Sequence, residues 1–477
     1  MLLAIAFAAV LVHGYHLGAD DAAIYVPAVK KVADPSLYPF GSEFFLFHAH
    51  FSYFSNLVGD TSKLAALPPD VAIFLWHITG IFLLLAASWR LSGICFDHRY
   101  ARWAAVAAVA ACLSVPVAGT ALVVMDPYLT ARSLSTPATI FAIACYLSGR
   151  RKQAVAWMLF AALIHIQMMV YALALIACLE IVKRQHFGAL LAGVPFVFPF
   201  QRATGPAREA LFSRTYFFVF NWKWYEWIGV AAPLAILAWL ASRDLPGTTA
   251  AFRLLARTLV WFGLLFTAAG LTLSSSPHLE NYARLQPMRA FQLLYVIFLL
   301  LIGGLLGEYV LKCARWRWVS LLAPLAVGMW IAQGAAYPAS PHIEWPGVNY
   351  SNDWDRAFLW IRANTPKDAV FAIDPDYMLS PGEDLHGFRA VAERSVLADD
   401  VKDSGAVSLF PQLAADWKSE SQAESGWAHF QAQDFRRLAS QYPVSWVVVP
   451  SPGPSGLVCP YRNRDLSVCR IAGAAAR

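Results

Sequence analysis

Long apolar runs, broken by short basic links, fill the first 336 residues of this chain. Runs near 71–89, 103–124, 133–148, 226–242, 258–273, 290–310 and 319–336 are apolar and nearly uncharged, the pattern of membrane-crossing helices. Residues 1–12 are apolar too, with no basic stretch ahead of them, and predict an uncleaved first span. The segment 154–182 differs, because basic clusters flank both of its ends. Its two ends therefore belong on one side, yet it is too short for two full-length helices at 1.5 Å per residue. It predicts two short helices turning near His165-Ile166-Gln167, sunk into the protein where such a break in helical backbone is tolerated. A short crossing at 188–200 completes the set, for about eleven crossings in all.

The basic links orient these spans. Cytoplasmic loops are enriched in Lys and Arg. Five clusters qualify: Arg90 to Arg102, Arg150-Arg151-Lys152, Lys183-Arg184, Arg243 to Arg257, and Lys312 to Arg317. Placing them inside puts the amino end in the cytoplasm. The loops 13–70, 125–132, 201–225 and 274–289, and the carboxyl end, then lie outside. At Tyr337-Pro338-Ala339-Ser340-Pro341 the pattern changes: charges become common and no later run can span. Residues 353–364 show helical spacing stopped at Thr365-Pro366, 369–373 and 444–449 read as buried strands, and 431–441 reads as a helix. The expectation is an α-helical integral membrane protein of two domains: a polytopic part at 1–336 and a soluble extracytoplasmic α/β domain at 337–477.

Composition agrees. Of 477 residues, 58% are hydrophobic and 14% charged, and mean hydropathy is +0.49. A soluble domain carries roughly 25% charged residues, and a β-barrel would show short alternating segments instead. The net charge of +6 is accounted for by the inner loops and is no nucleic-acid footprint. Cys459 and Cys469 fall in the outer tail, where an oxidising compartment permits a disulfide that spacing alone does not decide. No CxxC or zinc-type His spacing, P-loop, Rossmann fingerprint or hydrolase elbow is present.

Several polar residues sit where a bilayer makes them costly. Asp20-Asp21 follow the first span, and one of them is a natural cap for a helix starting near Ala22. Ile24 to Lys31 reads as an amphipathic interfacial helix, followed by Asp34-Pro35-Ser36-Leu37-Tyr38-Pro39. Asp126 precedes Pro127, an ordinary turn start. Arg132, Arg284 and Arg289 lie outside, against the positive-inside bias. Each either snorkels to lipid headgroups or meets a phosphate. His165 falls at the turn of the short helix pair, as an interior histidine or a substrate contact. The 201–225 loop interleaves Arg202, Arg208, Arg214 and Lys223 with aromatic residues, as an interfacial anchor or a platform for a lipid phosphate.

The order of first span, acidic pair, amphipathic segment and Asp-Pro-x-Leu-Tyr-Pro resembles bacterial members of the GT-C superfamily of polytopic membrane glycosyltransferases. Arg132-Ser133 at the head of a span, the Gly149-Arg150 turn, His165, the stretch Leu285-Gln286-Pro287-Met288-Arg289 and the tail segment Thr365-Pro366-Lys367-Asp368-Ala369 are similar as well. The resemblance implies a protein of the bacterial cytoplasmic membrane that moves a sugar from a polyprenyl-phosphate donor to an extracytoplasmic glycan, lipid or protein acceptor. It implies that Asp20 or Asp21, the latter one residue further from the apolar run, is the catalytic carboxylate, acting as base or helping to bind a metal. Arg132, Arg284, Arg289 and His165 would hold substrate or phosphate. Metal-dependent relatives carry a second acidic cluster where this chain has Asp126 alone, without DxD or DxE, so a divalent metal is not favoured and Asp126 is its one candidate ligand. The rival roles are a non-enzymatic transporter or flippase of lipid-linked glycans, or an assembly component. Transporters often show pseudo-symmetric halves, and no internal repeat is visible in this sequence.

Overall fold

The computed structural model describes residues 1–185, 202–348 and 352–471. The expected crossing at 188–200 lies outside them. The opening helices are α1 (Leu2–His13), α2 (Ala22–Ala33), α3 (Glu43–His50), α4 (Phe54–Leu64), α5 (Pro69–Cys95), α6 (Arg99–Ala111), α7 (Ala131–Leu147), α8 (Arg151–Ile164) and α9 (Ile166–Arg184). Six described stretches are long and apolar enough to cross a membrane: α5, α9, Trp224–Ala241, Ala250–Ser274, Glu280–Leu311 and Arg315–Ala336. Helix α1 is apolar but has 12 residues, and α6, α7 and α8 have 13, 17 and 14. As expected, α8 and α9 are joined by a single break, His165, held extended at φ −158°, but α9 is not short: its 19 residues are enough to cross.

The run at 103–124 is not one span. Helix α6 ends at Ala111, and the chain doubles back through Pro116, which faces Val123. A proline there ends the helical ladder. The freed backbone groups pair locally, Val117 N to Leu122 O at 2.8 Å and Val124 N to Val115 O at 3.1 Å. The Gln292 amide donates to the Val123 and Val124 carbonyls. Irregular backbone thus survives because it is buried in protein.

The helix ends gather into two groups. At one end, Phe96 pairs with Thr248, His98 Nδ1 lies 2.7 Å from Glu308, and the Tyr309 hydroxyl donates to Pro246 O. At the other, Tyr15 pairs with Ile343 and Ala19 with His386, tying the first loop to the chain after the last long helix.

Close packing within the bundle relies on small residues, since lipid removes the hydrophobic drive between helices. Gly303 and Gly307 of the fifth apolar stretch face Ala104 and Ala108 of α6. A Cβ on Gly303 would lie 2.3 Å from that of Ala108, and one on Gly307 would lie 2.6 Å from that of Ala104.

The tail carries a five-stranded sheet in the order β2-β1-β3-β5-β4, from β1 (Val370–Ala372), β2 (Ser395–Val396), β3 (Trp446–Pro450), β4 (Val458–Arg462) and β5 (Leu466–Arg470). Strands β2, β1 and β3 are parallel, and β5 is antiparallel to β3 and β4. A disulfide joins Cys459 of β4 to Cys469 of β5. The helix Asp353–Asn364 starts at Asn352, whose side chain accepts from Trp354 N, and stops at Thr365. Its Phe358 packs with Phe371 and Phe388 in a core that also takes in Ala23 of α2.

Helix α2 is therefore no interfacial helix. Its Lys30 is fully buried, 2.6 Å from Asp70 and 2.8 Å from Glu393, with a further bond to Ala390 O. Arg362 closes the same group on Asp70 and Glu393. The first loop, the start of α5 and the tail meet at this buried lysine. A prediction follows from the packing of α6: Gly303→Val overpacks that contact and lowers stability by about 1–3 kcal/mol, read as a lower thermal midpoint in detergent, while Gly334→Ala, whose Cβ meets nothing within 4 Å, leaves it within error.

Candidate functional site

A cavity of about 500 Å³ opens where the first loop, the bundle and the tail meet. Its polar lining holds five cations, Arg132, Arg214, Arg284, Arg289 and Lys402, with Asp21 among them. His165, at the α8–α9 break, also lines it. Of the residues singled out in the sequence, Asp21, Arg132, His165, Arg284 and Arg289 share this cavity. Asp20 and Asp126 are not in its lining.

Local structure explains the placement. Asp20 takes φ 50°, which turns the chain sharply into α2. Asp21 is the residue before α2, but its carboxylate does not cap the helix; the expected capping gives way to ion pairing. Arg132 is in the first turn of α7, an end steadied by Thr130 N donating to Ser133 Oγ. Arg284 and Arg289 sit on two consecutive 3-10 turns, Glu280–Leu285 and Pro287–Ala290, divided by Gln286 at φ 50°. Helix α9 anchors this segment: the Gln167 amide donates to Leu285 O, and the Tyr171 hydroxyl to Gln286 O, both at 2.8 Å.

Charge pairing is dense. One terminal nitrogen of Arg132 donates to Asp21 Oδ2 at 2.9 Å and to Asp126 Oδ2 at 2.8 Å. The Lys402 ammonium contacts Asp20 Oδ1 and reaches Asp21 Oδ1 at 3.3 Å. The Tyr128 hydroxyl donates to Asp20 Oδ2 at 2.9 Å, and the Thr130 hydroxyl to Asp126 at 3.2 Å. Burial opposes ionisation of Asp21, but the charges of Lys402, Arg132 and Arg289 outweigh it and hold the carboxyl well below its usual range. Lys402 answers in kind: burial disfavours its charge, yet Asp20 and Asp21 hold its pKa above the ordinary value. Burial raises the Asp126 carboxyl despite Arg132.

The other three cations have different surroundings. Arg289 lies over the Tyr216 ring at 5.5 Å, has no ion-pair partner among the described residues, and buries its Nε without a hydrogen bond. Arg214 donates to Val401 O and Ser404 Oγ, and Arg284 to Asn281 Oδ1. In the aromatic loop, Arg214, Tyr216 and Phe217 line the cavity, while Trp224 and Tyr225 are exposed.

The opposite wall is apolar. Ile166 and Val170 of α9 and Phe266 and Leu273 of the Ala250–Ser274 helix line it. Ile166 and Val170 are 58% and 43% exposed, so this wall is accessible to a ligand.

The acidic residues do not compose a metal site here. Asp20, Asp21 and Asp126 each direct their oxygens at Lys402, Arg132, Tyr128 or Thr130, so protein cations hold the places that an ion would take. Asp126, the candidate ligand, is not in the cavity lining. No step is therefore derived through a metal at these residues.

No role at the site was read from the sequence for Lys402, His48 or Tyr25. Lys402 is 381 residues from Asp21, and no local spacing announces such a pair. His48 on α3 bonds the Tyr25 hydroxyl at 2.6 Å and lines the cavity. Burial, with Arg132 and Arg289 nearby, pushes its pKa down to about 4, so the ring is neutral near pH 7.

Comparison with known proteins touches this region directly. Residues 352–419, which include Lys402, match a family described as a domain of unknown function, DUF6798. No curated protein matches the sequence. Among solved structures, the chain is similar to the arabinofuranosyltransferase AftD from mycobacteria, at 14% identity and a TM-score of 0.37, over 98% of this chain and 40% of that one. It is also similar to an oligosaccharyltransferase of Archaeoglobus fulgidus, at 12% identity and a TM-score of 0.31, over 94% of this chain and 69% of that one. The chain spans 40% of the length of AftD. Both proteins are named as glycosyltransferases, and no residue role is carried from either.

His48 generates a pH prediction. Its folded pKa lies below the ordinary 6.5, so the unfolded chain binds a proton first as pH falls. Its contribution is complete above pH 6.5 and is lost toward pH 4, on the order of 2 kcal/mol for a half-buried ring. His48→Gln should flatten the loss of thermal midpoint over that window; an unchanged slope contradicts it.

Proposed function

We propose that the cavity transfers a sugar from a polyprenyl-phosphate donor to an acceptor hydroxyl, with Asp21 as base and the arginines as phosphate clamp. The observation that carries this reading is the joining of a cationic floor to an apolar wall made by two membrane-crossing helices. Such a wall suits a lipid chain, and the cations suit the phosphate at its head. The basic clusters support an orientation with the cavity and tail outside, in a bacterial cytoplasmic membrane. On this reading about eleven crossings make up a membrane domain at 1–336, with an extracytoplasmic domain at 337–477. The acceptor is a glycan, lipid or protein.

The acceptor oxygen attacks the anomeric carbon as the bond from that carbon to the phosphate oxygen breaks. The leaving phosphate keeps the electron pair, and the hydroxyl proton passes to Asp21. Arg289, Arg284 and Arg132 stabilise the charge gathering on the phosphate. His165 borders the same space as a substrate contact.

Pairing with Lys402 and Arg132 makes Asp21 a weak base before substrate arrives. A bound phosphate competes for those cations, and Asp21 gains basicity as they turn to it. Base strength is thereby linked to donor binding, which disfavours proton abstraction when no donor is present. A carrier of lipid-linked glycans or an assembly component would need the cations but not the carboxylate.

In liposomes supplied with a panel of polyprenyl-phosphate sugars, Asp21→Asn should slow transfer about 100- to 10,000-fold while binding of polyprenyl phosphate persists. Arg289→Ala should weaken that binding and slow transfer about 100- to 1,000-fold. Undiminished transfer by Asp21→Asn would sink the base assignment, and undiminished polyprenyl-phosphate binding by Arg289→Ala would sink the clamp.

A further inference from the structure

Behind the acidic pair lies a second cluster that sugar transfer does not use. His16 follows α1, Glu344 follows the last long helix, and His386 precedes the short helix Phe388–Ala392. All three are buried, with at most 1% of each side chain exposed. Glu344 Oε1 lies 2.8 Å from His16 Nδ1 and 2.7 Å from His386 Nε2. Its Oε2 accepts from Leu17 N at 2.8 Å. One ligand atom from each residue falls within 4.8 Å of the others.

The backbone holds these residues in place. Tyr15 N donates to His342 O, Glu344 N to Tyr15 O, and Gly387 N to Gly18 O. Asp20 N donates to Leu385 O at 2.8 Å. The strand-like pairings that carry the three side chains therefore also carry the acidic pair of the cavity.

The state of His386 is restricted. Its Nδ1 lies 3.0 Å from Glu383 O, and a carbonyl oxygen only accepts, so Nδ1 bears the proton. The neutral ring then aims the Nε2 lone pair at Glu344 Oε1, two electron-rich atoms 2.7 Å apart. Something positive has to sit between them, a second proton or a metal ion. A ring N–H held by a backbone carbonyl is also the usual support of a metal-binding imidazole.

The surroundings are short of positive charge. Glu383 Oε2 accepts from His386 N, while its Oε1 is buried without a partner. Asp355, whose charge acts on both His386 and Glu344, has both oxygens buried without a partner. Among the described residues no Lys or Arg pairs with Glu344, Glu383 or Asp355. Burial raises the carboxyls of Asp355 and Glu383 above their usual range and favours their neutral acids, so Glu344 is the carboxylate that faces the two imidazoles.

We propose that His16 through Nδ1, His386 through Nε2 and Glu344 through Oε1 form a structural site for a divalent transition metal of the zinc class. Two imidazoles and a carboxylate are a borderline nitrogen and oxygen donor set of the kind zinc takes. Ligand atoms about 2.0–2.1 Å from a tetrahedral ion stand ~3.3 Å apart. The ion therefore widens the two contacts to Oε1 by about half an ångström and draws the rings around it. Asp355 and Glu383 act from outside the ligand set. The metal locks the first loop to the tail directly beneath Asp20 and Asp21. No sequence spacing announces it, because Glu344 is 328 residues from His16 and 42 from His386. The site stands whether or not the cavity transfers sugar.

The test uses the full chain in detergent, purified without an affinity metal, with bound metals measured by mass spectrometry. About one equivalent of zinc-class ion is expected per chain, and a strong chelator should remove it and lower the thermal midpoint. Added Zn2+ should restore the midpoint, and Mg2+ or Ca2+ should not. His16→Ala and His386→Ala should each lose the ion, while His98→Gln, at the other end of the bundle, retains it. Co2+ loaded into the stripped wild-type chain should give the visible absorption of a nitrogen- and oxygen-ligated centre. Substoichiometric metal, with no response of the wild-type midpoint to chelator or Zn2+, would overturn the site and leave a proton-bridged cluster in its place.

Discussion

Arg132 and Lys402 hold Asp20, Asp21 and Asp126 in one net of charge, and through it three distant parts of the chain meet. Arg132 belongs to α7, the aspartates to the first and second loops, and Lys402 to the tail. Charges removed from water demand partners, and a partner lost here leaves the opposite charge stranded. The net therefore fixes the first loop against the bundle and the tail against the first loop. It also sets the chemistry: a carboxylate gripped by two cations is ionised, weakly basic, and surrounded by groups that an anionic ligand can recruit.

Two further buried charge groups brace the same junction from either side. Lys30 gathers Asp70 and Glu393, with Arg362 closing the set. Glu344 gathers His16 and His386. Each combines the first loop with the tail, and each is shielded from solvent. The tail is thus a wall of the cavity, contributing Lys402, Leu409 and Phe410 to its lining. The bundle beneath packs by another rule, with Gly303 and Gly307 letting backbones approach where lipid offers no hydrophobic drive.

Much of the architecture was legible in the sequence. Apolar length marked α5 and the four later stretches, because a bilayer imposes length on any helix that crosses it, whereas α9, expected to be short, proved long enough to cross. Basic flanks around 154–182 marked the turn at His165 without any structural knowledge. In the tail, the stop at Thr365-Pro366 and the runs around 370 and 446 marked a helix and two strands. The run at 103–124 misled because hydropathy does not count hydrogen bonds: Pro116 breaks the helix, and buried partners elsewhere satisfy the backbone it frees. Lys30 misled in a similar way, since a lysine beside another lysine looks solvated until Asp70 and Glu393 are placed around it.

By itself the sequence determined that this is a membrane protein, where its longest apolar helices lie, and that Asp21, Arg132, Arg284 and Arg289 are polar residues in positions that need a reason. Those facts follow from the cost of polar and charged groups in hydrocarbon, which each residue meets individually. Only the tertiary structure decided which of them share a cavity. It left Asp20 and Asp126 out of the lining, brought Arg214 of the 201–225 loop into it and added Lys402 and His48, and it assembled His16, Glu344 and His386 from three remote segments. Pairing between charges depends on distance in space, and helices that turn at His165 and Ala111 bring together residues that no spacing along the chain relates.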